Sequence, residues 1–141
     1  MKKLTLVAFL FLSAMNPALS EPVVVIVNSA NTQSLSTSDV KNIYRDRTIT
    51  WDNGNKIMVY NLPSKEAAAE VFATKVLGVS SRSAAASEAN RIVTNTSRNA
   101  QLTKREVLVA SIVSRKPDAI GYVHKKTVSG KEGIRILLTL E

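Results

Sequence analysis

The chain has 141 residues, with 19 Lys and Arg against 11 Asp and Glu, so its formal charge is +8. It contains no cysteine, which excludes disulfides, thiolate metal sites and a lipid-modified N-terminal cysteine. Basic residues are spread along the chain and aromatic residues make up only 5% of it, so no platform for stacking nucleic-acid bases is visible. The positive charge favours acidic partners, such as small anions or an acidic protein of the cell envelope.

The first 20 residues have the pattern of a secretory signal peptide. Lys2 and Lys3 form a basic start, Leu4 to Leu12 is apolar, and small residues lead up to Ser20. We expect cleavage after Ser20, which leaves a periplasmic protein of 121 residues with a formal charge of +6. That length is typical of a single domain, at 21–141, and no later segment reaches the roughly 20 apolar residues of a membrane span.

A strand and a short helix are expected first in the mature chain. Val23 to Val27 is a continuous β-branched run, which is typical of a strand buried on both faces. Ser36 or Ser38 can cap a short helix, which we expect to end near Arg45 and Asp46.

The segment from Trp51 to Gly78 joins a turn, a strand and a helix. An Asn-Gly turn leads into a second strand, Ile57 to Asn61. Pro63 blocks continuation of the strand, and Ser64 is the expected N-cap of a helix that runs to Leu77. A strand that leads into a helix N-terminus is a geometry suited to binding anions.

The second half of the chain predicts two more helices and two more strands. A helix over Ser80 to Thr94 would bury the apolar residues that share one face: Ala85, Ala89, Ile92 and Val93. Thr103 and Glu106 have the capping-box spacing for the next helix. Strands follow at Ala119 to Val123, where Gly121 permits close packing of a helix, and at Ile134 to Leu140. The alternation predicts one α/β lobe with a mainly parallel sheet flanked by helices.

The order of these elements resembles the periplasmic solute-binding proteins of the phosphate type. The matching strings are Trp51 to Gly54, Ile57 to Asn61, Ser64 to Leu77 followed by Gly78, and Pro117 to Val123. The resemblance implies a periplasmic-binding-protein-like fold and a role in phosphate transport. That family closes two lobes over its ligand, so a chain of this length would be a single-lobe relative that needs a partner or a second copy to complete a cleft.

Asn61, Ser64 and Lys65 are the first candidate ligand-binding residues. The family's phosphate grip after the second strand has an Arg and then Ser-Gly-Thr, whereas this chain has Asn-Leu-Pro-Ser-Lys-Glu, in which only Ser64 matches. The hydroxyl of Ser64, the neighbouring amides and the Lys65 ammonium could hold an oxyanion. The alternative is that Ser64 is an ordinary N-cap.

A second group of candidates, Ser29 and Asn31, follows the first strand. Ligands of open α/β sheets usually lie at the carboxyl edge of the strands, and these side chains could donate hydrogen bonds there. The alternative is an ordinary polar loop. Arg45 and Arg47 could likewise recruit an anion or form a solvated charge cluster.

No pattern of catalytic or metal-binding residues stands out in the sequence. His124 is the only histidine and has no carboxylate near it in the sequence. We therefore expect no enzyme activity, no catalytic residue, no metal and no cofactor. The leading hypothesis is a periplasmic binding module for phosphate or a similar oxyanion. The alternative is a structural or interaction protein of the envelope that keeps the fold and binds a protein partner, and the oligomeric state stays open.

Overall fold

The computed structural model describes residues 21–141, so the expected signal peptide at 1–20 lies outside the described residues. The strands of the described part are β1 (Val23–Asn28), β2 (Met58–Asn61), β3 (Leu102–Thr103), β4 (Ala119–His124) and β5 (Ile134–Leu140). The α-helices are α1 (Thr37–Tyr44), α2 (Ala67–Phe72), α3 (Ser81–Val93) and α4 (Glu106–Arg115). A π-helical turn (Ala73–Leu77) continues α2, and a 3-10 helix (Lys125–Val128) follows β4.

The strands form one sheet in the order β3-β2-β4-β1-β5. This confirms the expected α/β class, but the sheet is mixed rather than mainly parallel. Strand β2 pairs in parallel with β3 and β4, whereas β1 runs antiparallel to both of its neighbours, β4 and β5. The alternation of strands and helices does not specify the direction of β1, because its partners lie about a hundred residues away in the sequence.

Helices cover both faces of the central strands. Neighbouring residues of a strand point to opposite faces, and in β4 the Tyr122 ring stacks on Phe72 of α2 while Gly121 faces Val109 of α4. Helices α2 and α4 therefore lie on opposite sides of the sheet. All six residues of β1 are buried, as the β-branched run at its start predicted.

Gly121 allows the close packing that the sequence indicated. A β-carbon at this position would lie 2.5 Å from the Cγ1 atom of Val109, so a larger residue would force the Val109 side chain or α4 to shift.

Serine residues cap two of the helices, and Ser36 is one of the two residues that were predicted to cap the first. Ser36 accepts a hydrogen bond from the backbone N–H of Asp39, and the Asp39 carboxylate accepts one from the backbone N–H of Ser36, which forms a capping box at α1. Ser80, the first residue of the predicted helix, caps α3 by accepting a hydrogen bond from the N–H of Ser83. Helix α1 ends with Arg45 as its C-cap, close to the predicted boundary.

Two predicted caps are wrong, and both fail for a local reason. Ser64 lies in a turn closed by the Glu66 N–H and the Pro63 carbonyl at 3.0 Å, so α2 begins only after Glu66, which makes no side-chain cap. Thr103 pairs with Asn61 as part of β3, and α4 begins at Glu106 without a side-chain cap. In each case the chain makes a turn or a strand where the helix was expected to start.

The predicted buried face of α3 is also wrong. Ile92 is 52% exposed and Val93 is 83% exposed, and Ala85 and Ala89 face solvent as well. The inward positions are instead polar, because Ser81 donates to the Glu70 carboxylate at 2.9 Å and Glu88 accepts from the backbone of Gln101 at 2.9 Å. Hydrogen bonds to distant segments therefore orient α3.

Candidate functional site

The side chain of Asn61, at the carboxyl end of β2, is held by three neighbours. Its Oδ1 atom accepts hydrogen bonds from the Leu62 N–H at 2.9 Å and from the hydroxyl of Tyr122. Its Nδ2 group donates to Oε1 of Gln101 at 2.6 Å. Asn61 thus fixes the end of the strand, and little of its hydrogen-bonding capacity is free for a ligand.

Gln101 extends this network from β2 to two helices. Its Nε2 group donates to the carbonyl of Tyr44 at the end of α1, at 2.8 Å. Its backbone N–H donates to Oε2 of Glu88 in α3, at 2.9 Å. The loop before β3 is therefore tied to α1 and α3.

Three packed aromatic rings, Tyr44, Phe72 and Tyr122, lie next to the hydrogen bonds of Asn61 and Gln101. The rings of Phe72 and Tyr122 are stacked with centroids 4.0 Å apart, and Tyr44 packs against Phe72 at 4.6 Å. The Tyr44 hydroxyl donates to the carbonyl of Tyr60 at 2.7 Å. Burial raises the pKa of Tyr122, and it raises the pKa of Tyr44 with a further contribution from the nearby Tyr122 phenol. Both hydroxyls therefore stay neutral and able to donate.

A cavity of about 330 Å³ lies beside Asn61 and carries three arginines on its walls. Arg45 and Arg47 follow α1, and Arg91 projects from α3. Arg45 donates to the carbonyl of Leu77 at 2.9 Å, and Arg91 donates to Oε1 of Glu88 at 2.7 Å. Arg47 is exposed and its guanidinium makes no hydrogen bond to residues 21–141. The remaining lining residues are Tyr44, Asn61, Leu77, Val79, Ala84, Ser87 and Gln101.

Polar atoms without a hydrogen-bond partner cluster on the segments that carry these arginines. Within residues 21–141, the buried side-chain atoms that lack a partner are Asp46 Oδ1, Arg91 Nε and Ser97 Oγ. The segments are in contact, because the Ser97 N–H donates to the Arg91 carbonyl at 3.1 Å and the Arg98 N–H donates to Asp46 Oδ2 at 2.5 Å. Buried polar atoms in proteins are nearly always paired. The Arg91 Nε–H and the Ser97 hydroxyl can donate to an anion or to water, whereas Asp46 Oδ1 can only accept and would need a donor such as water.

The charges around the cavity are predominantly positive. Arg98 approaches the carbonyls of Asp46 and Arg47, at 3.5 Å and 3.4 Å, which brings a fourth arginine to the other three. The carboxylates of Asp46 and Glu88 offset only part of this charge. A site with this balance attracts anions.

The structure does not bring the sequence-predicted site residues together. Ser64 and Lys65 lie in the turn after β2, where the Ser64 carbonyl accepts from the Ser81 hydroxyl at 2.6 Å and Lys65 is exposed. Ser29 and Asn31 lie at the opposite edge of the sheet. The reason is the antiparallel direction of β1, which pairs Val27 with Ile120 and so points its carboxyl end away from that of β2.

Ser29 and Asn31 have structural contacts of their own. The Ser29 N–H donates to the Gly133 carbonyl at 2.9 Å, and the Asn31 carbonyl accepts from Nε of Arg135 at 2.8 Å. Asn31 also lines a second cavity, of about 370 Å³, next to Trp51. The Trp51 indole N–H donates to the Asp118 carbonyl at 2.9 Å and the ring is buried, so Trp51 packs as part of the core.

His124 does have a carboxylate partner, which the sequence did not reveal. Its Nδ1 atom lies 2.9 Å from Oε2 of Glu106. Oε1 of Glu106 accepts from the His124 N–H at 2.6 Å and from the Thr127 hydroxyl at 2.9 Å. Burial alone would raise the pKa of Glu106, but these hydrogen bonds outweigh it and lower the pKa. These hydrogen bonds join the start of α4, at Glu106, to the end of β4, at His124.

Within residues 21–141, no group of three or more His, Asp or Glu side chains is placed to hold a metal ion. The same residues contain no helix that is both long and apolar enough to cross a membrane.

Arg91 and Gln101 are the residues of this site that sequence reasoning missed. Arg91 carried one signal, its spacing of three residues from Glu88 on a predicted helix, which is typical of an ion pair. Gln101 carried none, because its partners lie 40 residues away at Asn61 and 57 away at Tyr44.

No protein-family model matches the chain, and no curated protein matches its sequence. Solved structures do match. An ABC-type phosphate transport receptor from Vibrio cholerae is 16% identical with a TM-score of 0.63, over 92% of this chain and 52% of that one. A candidate phosphate ABC transporter substrate-binding protein with bound phosphate, from Clostridium perfringens, is 17% identical with a TM-score of 0.61, over 83% and 44%. PstS from Borrelia burgdorferi is 15% identical with a TM-score of 0.59, over 83% and 46%.

These similarities confirm the expected resemblance at the level of the fold. The chain spans about half the length of the solved structures that it matches. It therefore has the fold of part of a phosphate-type substrate-binding protein, as expected for a single-lobe relative.

Proposed function

We propose that this chain is a periplasmic binding module that holds a small oxyanion in the arginine-lined cavity beside Asn61. The observation that carries the proposal is the set of three arginines that line this cavity, of which Arg47 makes no hydrogen bond through its guanidinium to residues 21–141 and Arg91 leaves its Nε–H without a partner there. The phosphate-transport proteins of similar fold support an oxyanion as the ligand. We also propose that residues 1–20 are a signal peptide, cleaved after Ser20, and that the module catalyses no reaction.

The arginines would bind the anion in different ways. Arg91 has an Nε–H group that is buried and unused within the described chain, and Arg47 has a whole guanidinium free of hydrogen bonds there. Arg45 is anchored by the Leu77 carbonyl, so its remaining N–H groups have a fixed direction. Guanidinium groups bind oxyanions through paired, charge-assisted hydrogen bonds.

The proposed site lies at the edge of the sheet that the sequence predicted, but the groups that bind the anion are different. Asn61 lines the cavity, but its side chain serves mainly to position the loop at Gln101. Ser64 and Lys65 belong to the neighbouring turn, and neither lines this cavity. Ser29 and Asn31 lie too far away, at the other end of the sheet, to contribute.

The test is a titration of purified residues 21–141 with phosphate and sulfate at low ionic strength, followed by calorimetry and thermal unfolding. Phosphate at a hundred times its dissociation constant should stabilise the fold by about 2.7 kcal/mol. Arg47→Gln removes a guanidinium without breaking a hydrogen bond within the described chain, and it should weaken binding about tenfold or more. Lys116→Gln, an exposed position outside the cavity, is the matched control.

Two results would count against the proposal. The first is the absence of any stabilisation at millimolar phosphate or sulfate, which would leave a protein partner as the expected ligand. The second is binding that Arg47→Gln and Lys116→Gln weaken equally, which would reflect net charge rather than this cavity.

A further inference from the structure

The arginine-lined cavity also has an apolar wall, formed by Leu77, Val79 and Ala84. Leu77 ends the π-helical turn and is 7% exposed, whereas Val79 and Ala84 are half-buried. The arginines and the hydroxyl of Ser87 supply the polar part of the lining. The cavity is thus amphipathic, which is more than a bare inorganic anion needs.

The volume of the cavity also exceeds that of an inorganic oxyanion. At about 330 Å³ it has room for roughly ten water molecules at the ~30 Å³ that each occupies in the liquid. Sites for small organic molecules begin at about 300 Å³. A tetrahedral oxyanion would leave most of the apolar wall in contact with water.

We infer that the ligand is a phosphoryl group that carries a short alkyl substituent, as in a phosphate monoester or a phosphonate. This inference rests on the proposed function and names the class of anion. The charged head binds Arg47 and Arg91, and the alkyl chain lies against Val79 and Ala84. Arg45 stands where the two walls meet, because its guanidinium is bound to the carbonyl of Leu77 at 2.9 Å.

The inference predicts how affinity depends on chain length. Burying each additional methylene group against an apolar wall should tighten binding about fourfold, until the chain outgrows the cavity. A site that recognises only the phosphoryl head would bind every member of such a series equally.

The test is calorimetric titration of residues 21–141 with inorganic phosphate and with methyl-, ethyl-, propyl- and butylphosphonate. We expect the dissociation constant to fall along the series. Val79→Thr keeps the shape of the side chain but replaces a methyl group by a hydroxyl. The variant should therefore reduce the dependence of affinity on chain length while it retains the affinity for phosphate. Ile92→Thr, on the exposed face of α3 and outside the cavity, is the matched control and should leave the trend unchanged.

A second variant guards against misfolding of the first. Ala84→Leu fills the space in front of the apolar wall. It should therefore remove the gain in affinity that propyl and butyl chains give, but it should leave the affinity for phosphate unchanged.

The failures of the inference and of the proposed function are distinguishable. Phosphate binding with equal affinity along the whole series would overturn the inference and leave the proposed function standing. Affinity that rises with alkyl length but is changed neither by Val79→Thr nor by Ala84→Leu would also overturn it, because the alkyl chain would then lie elsewhere. Absence of binding by phosphate and by every phosphonate would overturn the proposed function and the inference together.

Discussion

The phenolic hydroxyl of Tyr122 in β4 donates a hydrogen bond to the side-chain oxygen of Asn61 at the end of β2. The Tyr122 ring stacks on Phe72 of α2, so one residue couples the sheet, a covering helix and the edge of the candidate site. The arrangement also orients the Asn61 amide toward Gln101, which closes the loop beside the arginines.

Tyr122→Phe is expected to lower the free energy of unfolding by about 1–2 kcal/mol, because the substitution removes a buried hydrogen bond while the ring stays in place. Urea unfolding at neutral pH measures the change. Tyr60→Phe is the control, since the Tyr60 hydroxyl makes no hydrogen bond within residues 21–141, and its effect should stay within about 0.5 kcal/mol. Equal losses in the two variants would show that the contact with Asn61 contributes nothing.

Gly121→Ala is expected to destabilise the fold by about 1–3 kcal/mol, because the added methyl group would lie 2.5 Å from Val109 Cγ1. A double-mutant cycle with Val109→Ala isolates this clash, since the shorter side chain leaves room for the methyl group. Denaturant unfolding of the four proteins gives the coupling energy. If Gly121→Ala costs as much in the Val109→Ala protein as in the parent, the proposed clash is wrong.

Glu106→Gln is expected to make stability less dependent on pH in the acidic range. The pKa of Glu106 is lowered in the folded protein, so its stabilising effect is present above the unfolded value of about 4.3 and is lost as the pH falls through the folded pKa. The gap in melting temperature between the parent and Glu106→Gln should therefore be largest near neutral pH and narrow below about pH 4. Glu132→Gln, at an exposed carboxylate that makes no hydrogen bond or salt bridge inside the described part of the chain, should show no such gap. A gap of constant size across this range would count against the prediction.

Phosphate binding is expected to leave the fluorescence of Trp51 unchanged while it raises the melting temperature. Trp51 is the only tryptophan, is 5% exposed, and lies at the opposite edge of the sheet from the arginine-lined cavity. Emission spectra with phosphate, and with chloride at equal ionic strength, test this expectation. A shift of emission that only phosphate produces would place the anion near Trp51 instead.

Local sequence signals predicted several parts of the fold correctly. The β-branched run at Val23 to Val27 predicted a buried strand, Ser36 was one of two predicted caps of α1, and the helix expected from Ser80 to Thr94 is α3. These signals succeed because a cap or a strand depends on residues only a few positions apart. The prediction at Ser64 failed although the signal was equally local, because a turn at Pro63 competes with the cap.

The candidate site could be predicted only in part. The edge of the sheet after β2 was predicted, and Asn61 lies there. The partnership of Arg45 and Arg47 with Arg91 was not, because Arg91 lies more than 40 residues later in the chain. The sequence likewise did not show that Glu106 would meet His124, 18 residues away.

The sequence alone was sufficient to establish the excess of positive charge, the α/β class and most of the elements, since each of these follows from composition or from short-range periodicity. The three-dimensional arrangement was needed for the direction of β1, the face of α3 that turns inward and the residues that form the cavity. The physical reason is that these features depend on hydrogen bonds and contacts between segments far apart in the chain, and only the folded structure brings those segments together.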